Sequence, residues 1–262
     1  MVIGTMPAIG PILGGYLHEL YGWQAGFLTV GGLASAALLS IGFFVPTTGG
    51  QSEGSIRLSA IVGNYVRLLA QAPFMACAAI GGVMFAGLYA FVTAAPFALI
   101  DARGVSPASY GLYQGLSVTG YLIGAATTGL LAYRTNAQGL LPFGLASGLS
   151  GGVLFLVLAE SGILETTPEL IVLAIGVFVF GLSIVVATTP ILAFSFVGGS
   201  IKGTAAAVLS GIQVFGGGLG AHAVRSFDGT QFRTLAFALI GAALLATLAY
   251  GSLVRSAARS AE

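Results

Sequence analysis

Long apolar stretches separated by short charged segments dominate the pattern of this chain. Each stretch is about as long as, or longer than, the roughly 20 residues with which a helix crosses a bilayer. We place the spans at 1–17, 24–45, 73–97, 109–131, 140–159, 169–194, 204–223 and 234–253. None shows the alternation of a barrel strand, and a backbone in lipid is then satisfied only by helices. The pattern predicts an all-α, polytopic membrane protein with eight transmembrane helices.

One long connection interrupts the series of spans. Residues 46–72 begin with Pro-Thr-Thr-Gly-Gly-Gln-Ser-Glu and continue in an amphipathic stretch from Ile56 to Leu69, which is typical of a linker between two bundles. The sequence therefore predicts two helices in residues 1–45, a cytoplasmic linker over 46–72, and six helices with a short cytoplasmic tail in 73–262.

Composition excludes a water-soluble protein. Hydrophobic residues make up 56% of the 262 positions and charged residues only 6%, against about 25% charged residues in soluble domains. The net charge of +1 provides no basic surface, so we expect no nucleic-acid partner. The single cysteine, Cys77, cannot form an internal disulfide, and we expect neither a metal nor a cofactor.

The placement of the charges predicts the orientation of the chain. One set of alternate loops, taken with the C-terminal tail, combines most of the cations with only two acids. Those cations are Arg57, Arg67, Arg134, Lys202, Arg255 and Arg259. The other set combines Arg103, Arg225 and Arg233 with six acids. Because an excess of Lys and Arg marks the cytoplasmic side, both termini are predicted to be cytoplasmic.

Glycines recur at a spacing of four residues within several spans. Small residues at this spacing lie on one helix face and let two helices approach closely. We therefore predict close helix contacts at these pairs. The pairs are Gly10/Gly14, Gly111/Gly115, Gly120/Gly124, Gly144/Gly148 and Gly216/Gly220.

The most specific pattern lies in the first span, where Gly10-Pro11-x-x-Gly14-Gly15 precedes a Gly-Trp-x-x-x-Phe segment at 22–27. Proline inside a helix removes a backbone hydrogen bond, and the glycines leave a groove. The pattern resembles the fifth-helix antiporter motif of drug:proton exporters in the major facilitator superfamily. In that family the motif ends the fifth helix and leads into the sixth.

Two further blocks extend the resemblance along the chain. Residues 86–112 look like the seventh and eighth helices of the Bcr/CflA (bicyclomycin and chloramphenicol resistance) branch, and 203–217 are similar to its eleventh helix. The resemblance implies a major-facilitator bundle in the bacterial inner membrane that lacks its first four helices. Residues 1–45 would then supply the last two helices of the N-terminal bundle, and the missing N-terminal half would be a partner.

The resemblance also implies a function, which is secondary active efflux of drugs or small amphipathic metabolites by alternating access, coupled to protons. Bulky amphipathic substrates bind mainly by apolar burial with a few polar anchors, which aromatic and amide side chains can supply. The candidates for the substrate pathway are Phe85, Tyr89, Phe91, Thr93, Gln114 and Gln213. The expected partners are a small-molecule substrate, protons and the lipid bilayer.

The residues leave a second class of function open. No predicted span contains a carboxylate that could carry protons, and the nearest acid is Asp101 at the outer end of the third span. The alternative is a non-transporting membrane remnant, or a helix-packing interaction protein derived from such a transporter. A chain that starts inside a hydrophobic span fits a fragment, a disrupted gene or a misplaced translation start. A sugar or amino-acid permease is disfavoured by the antiporter motif.

Overall fold

The computed structural model describes residues 2–44, 58–131, 134–226 and 231–259, and these ranges are almost entirely helical. Within them no strand occurs, so the all-α prediction is confirmed. Residues 45–57, which include the start of the predicted linker and Arg57, lie outside the described ranges, as do 132–133, 227–230 and the last three residues. The helices are α1 Val2–Tyr21, α2 Gln24–Phe44, α3 Leu58–Leu69, α4 Ala72–Pro96, α5 Pro107–Leu131, α6 Ala137–Glu160, α7 Ile163–Thr166, α8 Ile171–Ser195, α9 Lys202–Val224 and α10 Phe232–Arg259.

Short local signals mark the ends of several helices. Gly22, Gly104 and Gly162 have φ values of 81°, 69° and 72°, a left-handed conformation that stops a helix at little cost for glycine. Asn136 caps the start of α6, because its side-chain oxygen accepts the N–H of Gly139 at 2.8 Å. Turn chemistry therefore divides the continuous apolar sequence into separate helices.

Over their described residues all eight predicted spans are helical, and six of the described helices are long and apolar enough to cross a membrane. Length and hydropathy thus confirm six of the eight predicted spans. Helices α1 and α5 are not among these six. Helix α5 is less apolar because polar side chains recur along it. These are Ser109, Tyr110, Tyr113, Gln114, Ser117, Thr119, Tyr121, Thr127 and Thr128. The six segments that are long and apolar enough to cross a membrane are Gln24–Phe44, Ala72–Asp101, Ala137–Glu160, Pro168–Ser195, Lys202–Val224 and Phe232–Arg255.

Helix α4 is the centre of the packed bundle formed by α4 to α10. It packs against α9, α10 and α8, while α8 also packs against α6 and α5, and α10 packs against α6. The row α5–α8–α4–α9 is therefore covered on one side by α6 and α10. Apolar side chains fill the contacts, and the largest fully buried ones include Phe74, Ile80, Met84, Phe155 and Phe178.

Glycines set the close approach of the helices in this bundle. A Cβ added at Gly124 of α5 would lie 2.5 Å from the carbonyl oxygen of Phe180 on α8. A Cβ added at Gly220 of α9 would overlap the carbonyl oxygen of Ala86 on α4. The predicted close contacts are confirmed for Gly120/Gly124, Gly144/Gly148 and Gly216/Gly220. Small residues at i and i+4 thus bring backbones together here.

The amphipathic stretch of the predicted linker forms helix α3. It packs against α4 and α9, and its Leu68 is fully buried. Next to it, the side chain of Gln71 donates from Nε2 to the carbonyl oxygen of Phe196 at 2.8 Å, which ties the start of α4 to the end of α8. The described part of the predicted linker therefore packs against this end of the bundle.

Helices α1 and α2 lie outside the bundle. Helix α1 packs along α5, whereas α2 contacts mainly α1 and has no buried residue. Its large apolar side chains, such as Phe27, Leu28, Phe43 and Phe44, are exposed. The fold consequently combines a packed six-helix bundle with a helix pair in which no residue from Ile9 to Phe44 is buried.

Candidate functional site

Three of the predicted pathway residues meet where α4 packs against α9. The rings of Phe85 and Tyr89 are stacked, with centroids 6.1 Å apart and planes 24° apart. The Tyr89 ring covers Gly217, where an added Cβ would lie 2.9 Å from Tyr89 Cδ2. The amide of Gln213 lies against Gly81, where an added Cβ would be 3.1 Å from Gln213 Nε2. The glycines of both helices therefore make room for two aromatic rings and an amide.

Thr93 extends this arrangement, whereas Phe91 does not. Phe85, Tyr89 and Thr93 are four residues apart, so they lie along one face of α4. Phe91 points elsewhere, because it is 2% exposed and its ring packs edge-on against Phe155 with centroids 6.1 Å apart. In this structure the predicted pathway residue Phe91 therefore lies in the bundle core, on another face of α4 than Tyr89.

Gln114 belongs to a different part of the molecule. It lies on α5, which packs against α1 and α8, and its Nε2 donates to the hydroxyl of Tyr110 at 2.9 Å. The sequence analysis did not select Tyr110, although a tyrosine four residues before a glutamine on one helix face signals such a bond. The six candidates are thus divided between the α4–α9 contact, the bundle core and α5.

The predicted antiporter motif lies at the contact between α1 and α5. A Cβ added at Gly15 would lie 2.5 Å from the carbonyl oxygen of Pro107, and one added at Gly111 would overlap the carbonyl oxygen of Pro11. Gly10 and Gly14 behave differently, because an added Cβ would meet nothing within 4 Å. Among the described residues, the close contact therefore forms at Gly15 and Gly111 and not at Gly10/Gly14.

A carboxylate stabilises the same contact at one end of α5. Glu19 Oε2 accepts the backbone N–H of Ala108 at 3.1 Å. Ala108 is the second residue of α5, where backbone N–H groups lack partners within the helix and the helix dipole favours negative charge. Sequence analysis counted Glu19 only as a loop acid, because a bond between residues 89 positions apart leaves no local signal.

One arginine side chain contacts three segments of the chain at the end of the bundle that is predicted to face outward. Arg103 donates from Nε and Nη2 to Glu165, at 2.8 and 2.5 Å, and from Nη1 to the carbonyl oxygen of Ala98 at 2.7 Å. Its Cζ lies 3.9 Å from the ring centroid of Phe232, the first residue of α10. The hydrogen bonds from Arg103 lower the pKa of the Glu165 carboxyl. This cluster links the turn after α4, helix α7 and α10.

Beyond these contacts, the described residues offer no candidate metal site. Asp101 is exposed at the end of a π-helical turn, Phe97–Asp101, that follows α4. In the part of the chain that the structure describes, no three His, Cys, Asp or Glu side chains are grouped so that they could hold a metal ion.

Comparison with known proteins places the chain among membrane transport proteins. Residues 1–221 match the sequence model described as Major Facilitator Superfamily. The chain is 24% identical over 259 residues to the Bicyclomycin resistance protein homolog of Haemophilus influenzae, covering 95% of this chain and 62% of that protein. It is 25% and 26% identical over 211 residues to the Multidrug transporter MdfA of Edwardsiella ictaluri and of Edwardsiella piscicida, covering 80% of this chain and 50% of each relative. The chain thus spans about half to three-fifths of these relatives.

Proposed function

This chain belongs to the Major Facilitator Superfamily, and from that membership we propose that it is part of a secondary active transporter for drugs or small amphipathic metabolites. The proposal places it in a bacterial inner membrane with both termini in the cytoplasm, and couples export to protons. The printed names of the relatives, a bicyclomycin resistance protein homolog and multidrug transporters, support this class of substrate. In this proposal residues 73–262 form the C-terminal bundle and residues 1–45 belong to the N-terminal one.

The observation that carries the proposal is the aromatic and amide cluster on α4 and α9. Phe85, Tyr89 and Thr93 share one face of α4, and the amide of Gln213 lies on the neighbouring helix. Stacked rings offer apolar area to a bulky substrate, while the amide and hydroxyl groups offer a few hydrogen bonds that orient it. Tyr89 is 44% exposed, so its ring is accessible on the bundle surface.

The α1–α5 contact supports the alternating-access part of the proposal. Backbone meets backbone at Gly15 and Gly111, because the atoms nearest to a Cβ added at either glycine belong to the backbone of the facing helix. Such a contact can separate and re-form when two halves of a transporter rock against each other. We propose this role for the motif residues Gly10, Pro11, Gly14 and Gly15, with Gly15 making the close contact.

The test is drug export by the complete reading frame that contains this chain, expressed in an efflux-deficient bacterium. Tyr89→Ala and Gln213→Ala should each lower export of an amphipathic dye at least about tenfold, because they remove substrate contacts. Phe44→Ala is the control, since it removes an exposed ring at the end of α2. Equal membrane levels with unchanged export in both cluster variants would remove these residues from the pathway.

The bare surface of α2 favours a second candidate function. Helix α2 has no buried residue and contacts mainly α1, so most of its apolar surface is available to other transmembrane helices. In this alternative the chain is a non-transporting remnant, or an interaction protein that binds helices through α2. Dye export no higher than in cells with an empty vector, together with full membrane insertion, would favour this function over transport.

A further inference from the structure

An apolar groove runs between α4, α9 and α10, centred on another face of α4 than the Phe85–Tyr89–Thr93 cluster. Its volume is about 480 Å³, within the usual range for ligand sites. Thr234, near the start of α10, is the one residue of the lining with a side-chain hydroxyl or charge. Representative lining residues are Ala86, Ala90, Val224, Phe237, Gly241 and Leu245.

The groove exists because small residues draw two helices onto α4 without filling the space between them. A Cβ added at Gly87 would lie 2.6 Å from the Cβ of Ala242, which brings α10 close to α4. Gly220 brings α9 equally close to α4 at Ala86. Helices α9 and α10 touch each other only slightly. A wedge-shaped space therefore stays open between them.

The outer face of α10 beside the groove is apolar. Phe237, Leu244, Leu245 and Leu248 are exposed along it, as expected for a helix that faces hydrocarbon. A groove in such a face is filled by hydrocarbon when the bundle is in a bilayer. The apolar lining therefore suits an acyl chain.

Two arginines flank one end of the groove, and one of them is paired with an acid. Arg225 directly follows Val224 and Arg233 directly precedes Thr234, so both cations flank the end of the lining. The guanidinium of Arg233 lies 5.8 Å from the ring centroid of Phe237, and its Nε lies 2.9 Å from Glu160 Oε1. Both arginine side chains are exposed. A guanidinium matches the geometry of a phosphate, which it can bind through two parallel hydrogen bonds.

We propose that this groove binds an anionic phospholipid, with one acyl chain between α9 and α10 and the phosphate at Arg225 and Arg233. An amphipathic drug fits less well, because a single hydroxyl in the lining offers few anchors and the two arginines repel cationic compounds. In the proposed orientation this end of the groove faces outward, so the lipid comes from the outer leaflet. The site is separate from the proposed export pathway.

The first test fills the groove without disturbing the helix contacts. Gly241 lines the groove, and an added Cβ there meets nothing within 4 Å, so Gly241→Leu places a side chain in the open space. Gly251→Leu is the matched control on the same helix, because an added Cβ there also meets nothing within 4 Å and the residue is not part of the lining. Native mass spectrometry of the purified chain with added phosphatidylglycerol measures the bound lipid.

We expect the original chain and Gly251→Leu to retain phosphatidylglycerol, and Gly241→Leu to retain about tenfold less. Equal retention by Gly241→Leu and Gly251→Leu would overturn the placement of the acyl chain in this groove. Circular dichroism of each variant checks that its helices are intact, and the measurement does not depend on export.

The second test addresses the headgroup. The original chain should retain phosphatidylglycerol in preference to phosphatidylcholine, and Arg225→Gln with Arg233→Gln should abolish that preference while leaving retention of phosphatidylcholine unchanged. Equal retention of the two lipids by the original chain would overturn the anionic part of the proposal. Because this comparison needs no variant, it holds even when a substitution impairs folding.

Discussion

Helices α2 and α6 are equally apolar and yet differ completely in how they pack. Their most apolar windows have the same mean hydropathy, but none of the α2 window is buried, whereas 44% of the α6 window is. Hydropathy therefore identifies a helix that can enter a bilayer, and it does not tell which helices it touches there.

Glycines show the same contrast between the two helices. Gly26, Gly31 and Gly32 of α2 face open space, since an added Cβ meets nothing within 4 Å. On α6, an added Cβ at Gly151 would overlap the backbone N of Phe178, and other glycines of this helix also meet a neighbour. A glycine thus permits a close contact, while the neighbouring helix decides whether the contact forms.

The largest expected effect comes from a side chain placed at one of these close contacts. Gly151→Leu should destabilise the bundle by about 3 kcal/mol or more, because α6 and α8 would have to separate. Gly32→Leu should change the stability by less than about 0.5 kcal/mol, since it adds a side chain on an open surface. Unfolding of the purified chain in mixed detergent micelles measures both. A similar loss for the two variants would mean that α2 is packed as closely as α6.

A smaller effect is expected at the polar cluster that joins the end of the bundle. Arg103→Ala should cost about 2 kcal/mol, because it removes charged hydrogen bonds to Glu165 and Ala98 and the contact with the Phe232 ring. Arg233→Ala is the matched control. Its exposed ion pair with Glu160 should contribute no more than about 1 kcal/mol. Equal losses in the two variants would show that the cluster adds nothing beyond a surface ion pair.

The pH dependence of unfolding gives a second measurement of this contact. Arg103 lowers the pKa of Glu165 from its ordinary value of 4.5, so the carboxylate stabilises the fold above that value and loses its effect as pH falls through the lowered pKa. As the pH falls from about 5 through the lowered pKa of Glu165, the original chain should lose stability, and Arg103→Ala should lose less. If the stabilities of the two proteins changed in parallel with pH, the result would contradict the contact between Arg103 and Glu165.

The smallest expected effect concerns the polar bond between the helix pair and the bundle. Glu19→Gln keeps an acceptor for the N–H of Ala108 but removes the negative charge at the start of α5. It should cost about 0.3–1 kcal/mol and speed hydrogen exchange at Ala108. Asp101→Asn, at another exposed acid, is the control and should leave that exchange unchanged. An unaltered exchange rate in Glu19→Gln would remove the bond from the α1–α5 contact.

The sequence by itself determined the class of fold, most of the helix bounds and the family. Uncharged stretches of about 20 residues predict helices in lipid because a bilayer leaves the backbone no other partner, and the predicted span 73–97 corresponds to α4 at Ala72–Pro96. The Gly-Pro motif around Pro11 led to the superfamily that residues 1–221 match. These features depend on local composition and spacing, which a single sequence records directly.

Only the tertiary structure decided which face of each helix packs and which glycine makes a contact. Phe91 fills the core while Tyr89, two residues earlier, is exposed, and Gly15 rather than Gly14 meets α5. A helix that is apolar on every side has no polar stripe to mark its outer face, so periodicity gives no direction. The Arg103 cluster and the Glu19 bond join residues far apart in sequence, and such pairs form only when the packed helices bring their ends together.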